Sequence, residues 1–214
     1  MATYAQLQSD VTAWLNRRDI GSLIPSWVTM VETEIAEVLR ARCMVVRGDQ
    51  AIDANFITLP DDWIAAESIR FKPCGHLLSM EDHFTGPLAG GPDCGCHAAG
   101  PSWAYRIVGP CIEFLPHPAI PNPPNRTWQP QIVEMAWYAK PKALSEPQSS
   151  NKVLDTLYQI YLFGVCKYGA MFEKDDDVAT QMDGAFNGAV AAANLWKVTS
   201  DMSGAPLRAV VRGF

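Results

Sequence analysis

The chain has 214 residues, of which 48% are hydrophobic, so it is long enough to bury one sizeable core, or one core with a small satellite. Its formal net charge is -6, and it contains no block of lysine and arginine dense enough to grip duplex DNA, so tight DNA binding is disfavoured. No signal peptide and no apolar run of membrane-spanning length occurs, which predicts a soluble protein made in a cytoplasm.

Two amphipathic helices are predicted at the start of the chain. The first runs from about Thr3 to Asn16, and Thr3 and Gln6 have the spacing of a capping box. In the second helix, Pro25 suits the first turn, where its missing N–H costs nothing. We expect residues 1–42 to form an antiparallel helical hairpin.

Short alternating runs of β-branched and aromatic residues predict an inserted β domain over residues 43–148. The predicted strands are Asn55–Leu59, Glu67–Phe71, Trp103–Val108, Cys111–Leu115 and Gln131–Tyr138. Gly109 and Pro110 separate two of them by about the length of a hairpin turn. The loops 85–102 and 116–130 are unusually long, and such loops tend to bind partners or to be disordered.

The helical period returns after Ser149 and Ser150, which can serve as caps, and Asp175 begins a cluster that offers a cap for a last helix. Residues 149–199 are therefore predicted to form a second hairpin that completes a bundle with the first. Residues 200–214 show no sustained period, which predicts an extended arm. The predicted fold class is α+β: about four helices from both chain ends form a bundle, with a small antiparallel β domain inserted.

Tryptophan positions give two predictions about packing and binding. Trp14 and Trp196 fall on the apolar faces of their predicted helices, which favours positions in the core. Trp128 lies beside Arg126 in a proline-rich loop and is the better candidate for an interface, because tryptophan is enriched at binding hot spots.

A series of short motifs follows a fixed order along the chain. They are Thr3-Tyr4-Ala5-Gln6-Leu7, Leu59-Pro60-Asp61-Asp62-Trp63, Tyr105-Arg106-Ile107-Val108-Gly109 with Ile112-Glu113-Phe114-Leu115-Pro116, Trp137-Tyr138-Ala139-Lys140-Pro141 with Leu144-Ser145, and Ser203-Gly204-Ala205-Pro206-Leu207-Arg208. In this order they cover nearly the whole chain. The chain thereby resembles the head-to-tail adaptor proteins of tailed bacteriophages, particularly those of short-tailed phages.

This resemblance implies a structural protein of the virion neck that is not an enzyme and needs no cofactor. Its implied partners are the portal protein, tail or nozzle proteins, and further copies of itself in a ring of twelve. DNA would pass through the ring without sequence-specific binding, and no membrane is involved. The resemblance places contacts with the portal or a neighbouring subunit on six residues of the arm: Leu207, Arg208, Val210, Val211, Arg212 and Phe214.

One group of residues has the chemistry of a metal site and departs from the family's pattern around Cys94. The candidate zinc ligands are Cys74, His76, Cys94, Cys96 and His97. Their spacing matches no standard finger, so free thiols in a flexible loop are the preferred interpretation and no metal is expected. A zinc-stapled interaction module is therefore the alternative function.

The sequence supports catalytic residues less well than it supports metal ligands. Asp61 and Asp62 are adjacent carboxylates, but Pro-Asp-Asp is an ordinary turn sequence, and side chains of adjacent residues in a strand-ending turn usually point apart. Cys111 lies in an apolar strand, and most of the cysteines are predicted to be small buried hydrophobic residues. A small hydrolase is the less favoured alternative function.

Overall fold

The computed structural model of the chain describes residues 2–52, 56–72, 76–80, 104–115, 131–146 and 148–202. The chain divides into two compact units, of which unit 1 comprises Met1–Met44 and Lys140–Phe214 and unit 2 comprises Val45–Ala139. In the described residues, unit 1 is helical and unit 2 is built from strands. The predicted α+β class is confirmed, while the predicted arm from residue 203 onward lies outside the described residues.

Unit 1 contains five α-helices in the part of the chain that the structure describes. They are α1 (Tyr4–Trp14), α2 (Ile24–Val38), α3 (Lys152–Thr156), α4 (Tyr158–Glu173) and α5 (Asp176–Met202). A single 3-10 turn, Arg42–Met44, follows α2. Within the described ranges, no helix combines the length and the apolar character needed to cross a membrane.

Side chains at the helix starts explain where α1 and α2 begin. The Thr3 hydroxyl accepts a hydrogen bond from the Gln6 N–H at 3.2 Å, so the predicted cap of α1 is confirmed. Pro25 lies in the first turn of α2, also as predicted.

The cap of α3 differs from the prediction. Asn151 holds this position, because its Oδ1 accepts from the Leu154 N–H at 2.8 Å. Ser149 is instead bonded through its backbone carbonyl to the Tyr4 N–H at 2.7 Å. The serine prediction was wrong because a contact with the distant N-terminal segment fixes the backbone there.

Helix α4 lies at the centre of unit 1, where it packs against α1, α2 and α5. Helices α1 and α2 contact α4 more extensively than they contact each other. Gly164 of α4 permits this close packing, because a Cβ there would lie 2.9 Å from both γ-carbons of Val31 in α2. The fully buried side chains around α4 include Leu7, Val11, Val31, Ile35, Tyr161 and Val165.

In the residues that the structure describes, unit 2 forms two four-stranded sheets. The strands are β1 (Val45–Ile52), β2 (Phe56–Thr58), β3 (Trp63–Phe71), β4 (His76–Leu77), β5 (Ser79–Met80), β6 (Ala104–Val108), β7 (Cys111–Leu115) and β8 (Gln131–Ala139). The strand orders are β1-β8-β3-β4 and β2-β7-β6-β5. All pairings between them are antiparallel except β5 with β6, which is parallel.

The two sheets share one apolar core. Ile69, Val133 and Met135 of the first sheet and Ile112 and Phe114 of the second belong to the same buried cluster. The β6–β7 hairpin turns at Gly109, whose φ of +58° is a conformation that glycine adopts without strain. The hairpin predicted at Gly109 and Pro110 is thus confirmed.

Candidate docking surface

The binding and metal residues predicted from the sequence lie almost entirely outside the described residues. This holds for the arm residues Leu207, Arg208, Val210, Val211, Arg212 and Phe214, for the loop residues Arg126 and Trp128, and for Cys74, Cys94, Cys96 and His97. The backbone of His76 belongs to β4 and pairs with Phe71. These assignments stay predictions, and the described part of the chain shows a different surface.

That surface begins with an aromatic pair between α1 and α4. Trp14, the last residue of α1, lies edge-on to Phe163 of α4 with ring centroids 6.2 Å apart. Trp14 nevertheless keeps 56% of its surface exposed, because only part of the indole rests on α4. The prediction of Trp14 as a core residue was wrong: the periodicity gave the correct face, but Trp14 stands at the end of the helix.

A second aromatic pair joins α4 to α2, on the side of α4 opposite Phe163. Phe172 is 55% exposed, and its ring lies 6.0 Å from that of the buried Trp27. Gly169 connects the two pairs, because a Cβ there would lie 2.3 Å from a methyl of Leu15 and 3.3 Å from the Trp27 ring. The two aromatic pairs are therefore Trp14 with Phe163 and Trp27 with Phe172.

Carboxylates follow Phe172 where α4 passes into α5. Lys174 adopts a left-handed conformation with a φ of +61° and ends α4. Asp175, Asp176 and Asp177 follow it, and all three are exposed. The Asp175 carboxylate accepts from the Val178 N–H at 3.1 Å, which caps α5 and confirms the cap predicted at this cluster.

The sequence contained part of this surface without indicating its role. The acidic cluster was recognised as a helix cap, and Trp14 was assigned to the core. Phe163 and Phe172 gave no signal, because residues nine positions apart on a helix lie on opposite sides of it and do not mark one face. Exposed aromatic side chains such as those of Trp14 and Phe172 are typical of protein interfaces.

A second exposed tryptophan lies near the far end of α5. Trp196 is 57% exposed, so its assignment to the core was also wrong. Helix α5 has 27 residues and α4 has 16, so the last turns of α5 continue beyond the length of its partner helix. Asn194 connects this region to the end of α2: its amide donates to the Val38 carbonyl at 3.1 Å and accepts from the Arg40 N–H at 2.8 Å.

The buried Lys167 of unit 1 is engaged in ion pairs. The Lys167 ammonium lies 2.7 and 2.8 Å from the two Glu34 oxygens and 3.3 Å from Asp183. Burial lowers the pKa of Lys167, but the hydrogen bonds from the ammonium to Glu34 and Asp183 outweigh it and raise that pKa overall. A lysine held as a cation between two carboxylates ties α4 to α2 and α5 and is unsuited to act as a base.

The buried Cys166 thiol is unsuited to act as a nucleophile, and Asp62 is engaged in a hydrogen bond. Burial raises the pKa of the Cys166 thiol to about 12, which keeps it protonated and unreactive. Of the described cysteines, Cys166 is buried, while Cys43 and Cys111 are half-buried. Asp61 and Asp62 lie in a turn, and Asp62 accepts from the Trp137 indole N–H at 3.1 Å. In the described ranges, no three His, Cys, Asp or Glu side chains are grouped to hold a metal ion.

Comparison with models of known protein families gives a match. The model of a protein family described as SU10 adaptor protein matches residues 2–210, which is nearly the whole chain. A search of the curated proteins found no match.

Proposed function

The chain belongs to the SU10 adaptor protein family and is a structural adaptor of a phage virion, and from this premise we propose that its copies form a ring that docks on the portal. In this position the ring connects the head to the tail through contacts with tail or nozzle proteins. The family match over residues 2–210 carries the proposal, because it spans both units and reaches into the arm.

The exposed surface of unit 1 supports an assembly role. A cyclic ring requires two different surfaces on each copy, because one face binds the opposite face of the next copy. The rings of Trp14 and Phe172, each more than half exposed, are candidates for such contacts. A ring of portal sites also raises the local concentration of subunits, so that contacts of low individual affinity give a lasting collar.

The arm supplies the second kind of contact in this proposal. Its six predicted contact residues, Leu207, Arg208, Val210, Val211, Arg212 and Phe214, combine apolar and cationic side chains. Ordering an extended segment costs conformational entropy, which only contacts with a partner offset. The arm therefore makes assembly depend on the presence of that partner. Arg126 and Trp128 are proposed as a further contact in the loop 116–130.

Charge and side-chain chemistry fit a passive conduit. The chain carries a net charge of -6, which favours sliding of DNA through the ring over binding to it. The buried Cys166 thiol and the paired Lys167 give no support to an enzymatic role. We propose that the protein acts through its interfaces alone and is assembled in the host cytoplasm.

Electron microscopy of portal rings mixed with the purified protein tests the proposal. We expect a collar of additional density on the portal, with the number of copies set by the symmetry of the ring. Bare portals after mixing with the intact chain would contradict it. Removal of residues 203–214 leaves α5 complete to Met202, and we expect this truncation to weaken portal decoration. Unchanged decoration would refute the role given to the arm.

A further inference from the structure

The two sheets of unit 2 end in edge strands of very different length. In the described residues, the second sheet is bounded by β2 and β5, and the first sheet by β4 on one side and β1 on the other. Strands β2, β4 and β5 have two or three residues each, whereas β1 has eight. Short edge strands offer few backbone groups to another chain, and natural sheets use them to prevent pairing at an edge. Strand β1 is the exception.

Strand β1 is also regular along its whole length. Its eight residues pair with β8 without a register shift, and none of them is a proline. In an antiparallel ladder, alternate residues direct their N–H and C=O groups toward one neighbour, and the residues between them direct these groups the other way. Half of β1 therefore offers backbone donors and acceptors on the side away from β8. Strand β3, by contrast, contains two register shifts, and an irregular strand is a poorer template for a further strand.

The two faces of the sheet limit how a second copy of β1 can pair with this edge. Arg47, Asp49 and Ala51 are exposed on the outer face, while Ile52 on the other face belongs to the buried core of unit 2. Residues directly opposite each other in an antiparallel pair point to the same face. Two copies therefore keep their outer faces on one side only if odd-numbered residues of one β1 lie opposite odd-numbered residues of the other. In such a register the two-fold axis passes through one residue of the strand.

Charge selects among these registers. Two of them pair seven residues of each strand, which are residues 45–51 with the axis at Gly48 and residues 46–52 with the axis at Asp49. The axis at Asp49 places the carboxylates of the two copies opposite each other, which is destabilising. The axis at Gly48 places Arg47 of each copy opposite Asp49 of the other, so the contact contains two pairs of opposite charge.

We propose that two copies of the chain pair through β1 in an antiparallel, two-fold contact with its axis at Gly48. The pairing joins the four-stranded first sheets of both copies into one sheet of eight strands. Asp49 also forms an ion pair with Lys72 of its own chain, and the two oxygens of one carboxylate can accept from both cations. The contact is closed, because both copies use the same surface and leave none for a third. It is therefore distinct from the heterologous contacts of the proposed ring, and it forms between free subunits.

Charge reversal in full-length chains tests the contact. Arg47→Asp places aspartate opposite aspartate, and Asp49→Arg places arginine opposite arginine. We expect sedimentation analysis to show dimers of the native chain and, for each variant alone, an association constant lower by about tenfold or more. An equimolar mixture of the two variants should form heterodimers as readily as the native chain forms dimers, because both cross-strand pairs then join an arginine to an aspartate. A chain that carries both substitutions should associate with itself again for the same reason.

Two matched controls belong to this test. Asp61→Arg reverses an exposed carboxylate in a turn of unit 2 and should leave the association constant unchanged. Lys72→Ala removes the partner that Asp49 has within its own chain, and it should not weaken association. A weakening by Lys72→Ala as large as that by Asp49→Arg would assign the effect to the ion pair within the chain and overturn the inference. Circular dichroism melts establish that every variant is folded.

Disulfide trapping tests the register. Chains with Arg47→Cys mixed with chains with Asp49→Cys should form a disulfide between positions 47 and 49, because residues opposite each other in an antiparallel ladder have Cα atoms about 4.5–5.5 Å apart. Chains with Arg47→Cys mixed with chains with Ala51→Cys should form none between positions 47 and 51, whose Cα atoms then lie beyond the limit of about 7 Å. Mass spectrometry of the linked peptides distinguishes these disulfides from those of the native cysteines. A disulfide between 47 and 51 alone would place the axis at Asp49 and overturn the inference.

The remaining outcomes separate this contact from portal docking. Amide exchange in β1 should slow as the concentration of the native chain rises, because pairing protects its outward N–H groups. A native chain that stays monomeric at about millimolar concentration, or that associates without this protection, would overturn the inference. A mixture of the two charge-reversal variants that stays monomeric would overturn it as well. Native chains that pair through β1 but leave portals bare would contradict portal docking and support this contact.

Discussion

Glu32 shows how a single buried carboxylate holds distant parts of unit 1 together. Its side chain is buried in α2, and its Oε1 accepts from the Leu144 N–H at 2.8 Å and from the Tyr161 hydroxyl at 3.3 Å. The Tyr161 hydroxyl in turn accepts from the Asn151 amide at 2.9 Å. Through these bonds Glu32 fixes the segment that returns from unit 2 against both α2 and α4.

Substitution of Glu32 should therefore change stability in a pH-dependent way. Burial raises the pKa of Glu32. The hydrogen bonds from Leu144 and Tyr161 lower this pKa by less, so the pKa is raised overall. A raised pKa in the folded state means that protonation favours folding. This stabilising contribution is fully present below pH 4.5, the ordinary pKa of the glutamate carboxyl group. It is lost as the pH rises through the higher pKa that the group has in the folded state. Glu32→Gln cannot ionise, so its free energy of unfolding should rise relative to that of the native chain as the pH increases above 4.5.

Two companion variants isolate the cause. Glu32→Ala removes the acceptor of both hydrogen bonds and should lower the free energy of unfolding by about 1–3 kcal/mol, because a buried N–H is left unsatisfied. Glu37→Gln changes an exposed residue of the same helix and should have little effect. Urea denaturation at several pH values measures all three. A difference between Glu32→Gln and the native chain that does not vary with pH would contradict the explanation.

Two glycines in neighbouring helices predict opposite effects of the same substitution. A Cβ on Gly164 would lie 2.9 Å from Val31 and 3.2 Å from Phe186, so Gly164→Ala should destabilise the fold by about 1–3 kcal/mol. A Cβ on the exposed Gly184 of α5 has no described atom within 4 Å, so Gly184→Ala should stabilise the fold by about 1 kcal/mol. Thermal denaturation of both variants should give shifts of opposite sign. Equal shifts would show that close packing at Gly164 is not the deciding factor.

Sequence periodicity predicted which face of a helix turns inward but not whether a neighbour covers it. Leu7 and Val11 lie on the predicted face of α1 and are fully buried, yet Trp14 on the same face is exposed. The hydrogen bond between Glu32 and Leu144 could not be predicted from the sequence, because Leu144 lies 112 residues away along the chain. Burial of a polar residue depends on such distant partners.

At the scale of elements, the length of α5 determines what its last turns contact. The helix begins beside the end of α4 and continues for 27 residues, so Asn194 meets the C-terminal end of α2. A helix end leaves backbone carbonyls without partners, and the Asn194 amide satisfies the Val38 carbonyl while accepting from the Arg40 N–H. One side chain of α5 thus caps the end of another helix.

Asn194→Ala should therefore loosen the end of α2. The loss of two partly exposed hydrogen bonds should lower the free energy of unfolding by about 1 kcal/mol and accelerate amide exchange at Arg40. Asn187→Ala is the matched control, because the Asn187 amide bonds only to the Asp183 carboxylate one turn away on the exposed side of α5. Equal exchange at Arg40 in the two variants would argue against the cap.

The strands show where local sequence is sufficient. The run Cys111–Leu115 was predicted with its exact bounds, because it alternates and follows a Gly-Pro turn. Strand β1, Val45–Ile52, was not predicted, since Gly48 and Asp49 interrupt its apolar pattern. Gly48 lies in the strand because the Trp137 ring of β8 occupies the space where a Cβ would be, 3.2 Å away. That reason becomes visible only once β1 and β8 are paired.

At the scale of the whole molecule, the chain leaves the helical unit at Met44 and returns to it at Lys140. The order of helix and strand patterns along the sequence was enough to predict the α+β class. The pairing between sheets was not predictable, because residues from strands far apart in the chain, such as Ile69 and Ile112, meet in the core of unit 2. The parallel pairing of β5 with β6 was missed for the same reason.

The two ends of unit 2 lie next to each other, which predicts that the unit can be removed without unfolding the bundle. Val45 is paired with Tyr138 in the β1–β8 ladder, so their Cα atoms are about 5 Å apart. A short Gly-Ser linker can therefore replace residues 45–139. Since the core around α4 is made by residues of unit 1 alone, the shortened chain should keep its helical circular dichroism and melt cooperatively.

The excised unit 2, residues 45–139, should fold by itself for the corresponding reason, because its two sheets bury a shared core. The stacked rings of Trp63 and Trp137, with centroids 6.2 Å apart, provide a near-ultraviolet circular dichroism signal of that fold. Asp62→Ala removes the acceptor of the Trp137 indole N–H and should weaken this signal, while substitution of the exposed Asp61 by alanine should preserve it. A featureless near-ultraviolet spectrum of the excised unit, or loss of cooperative melting in the shortened chain, would show that each unit requires the other to fold.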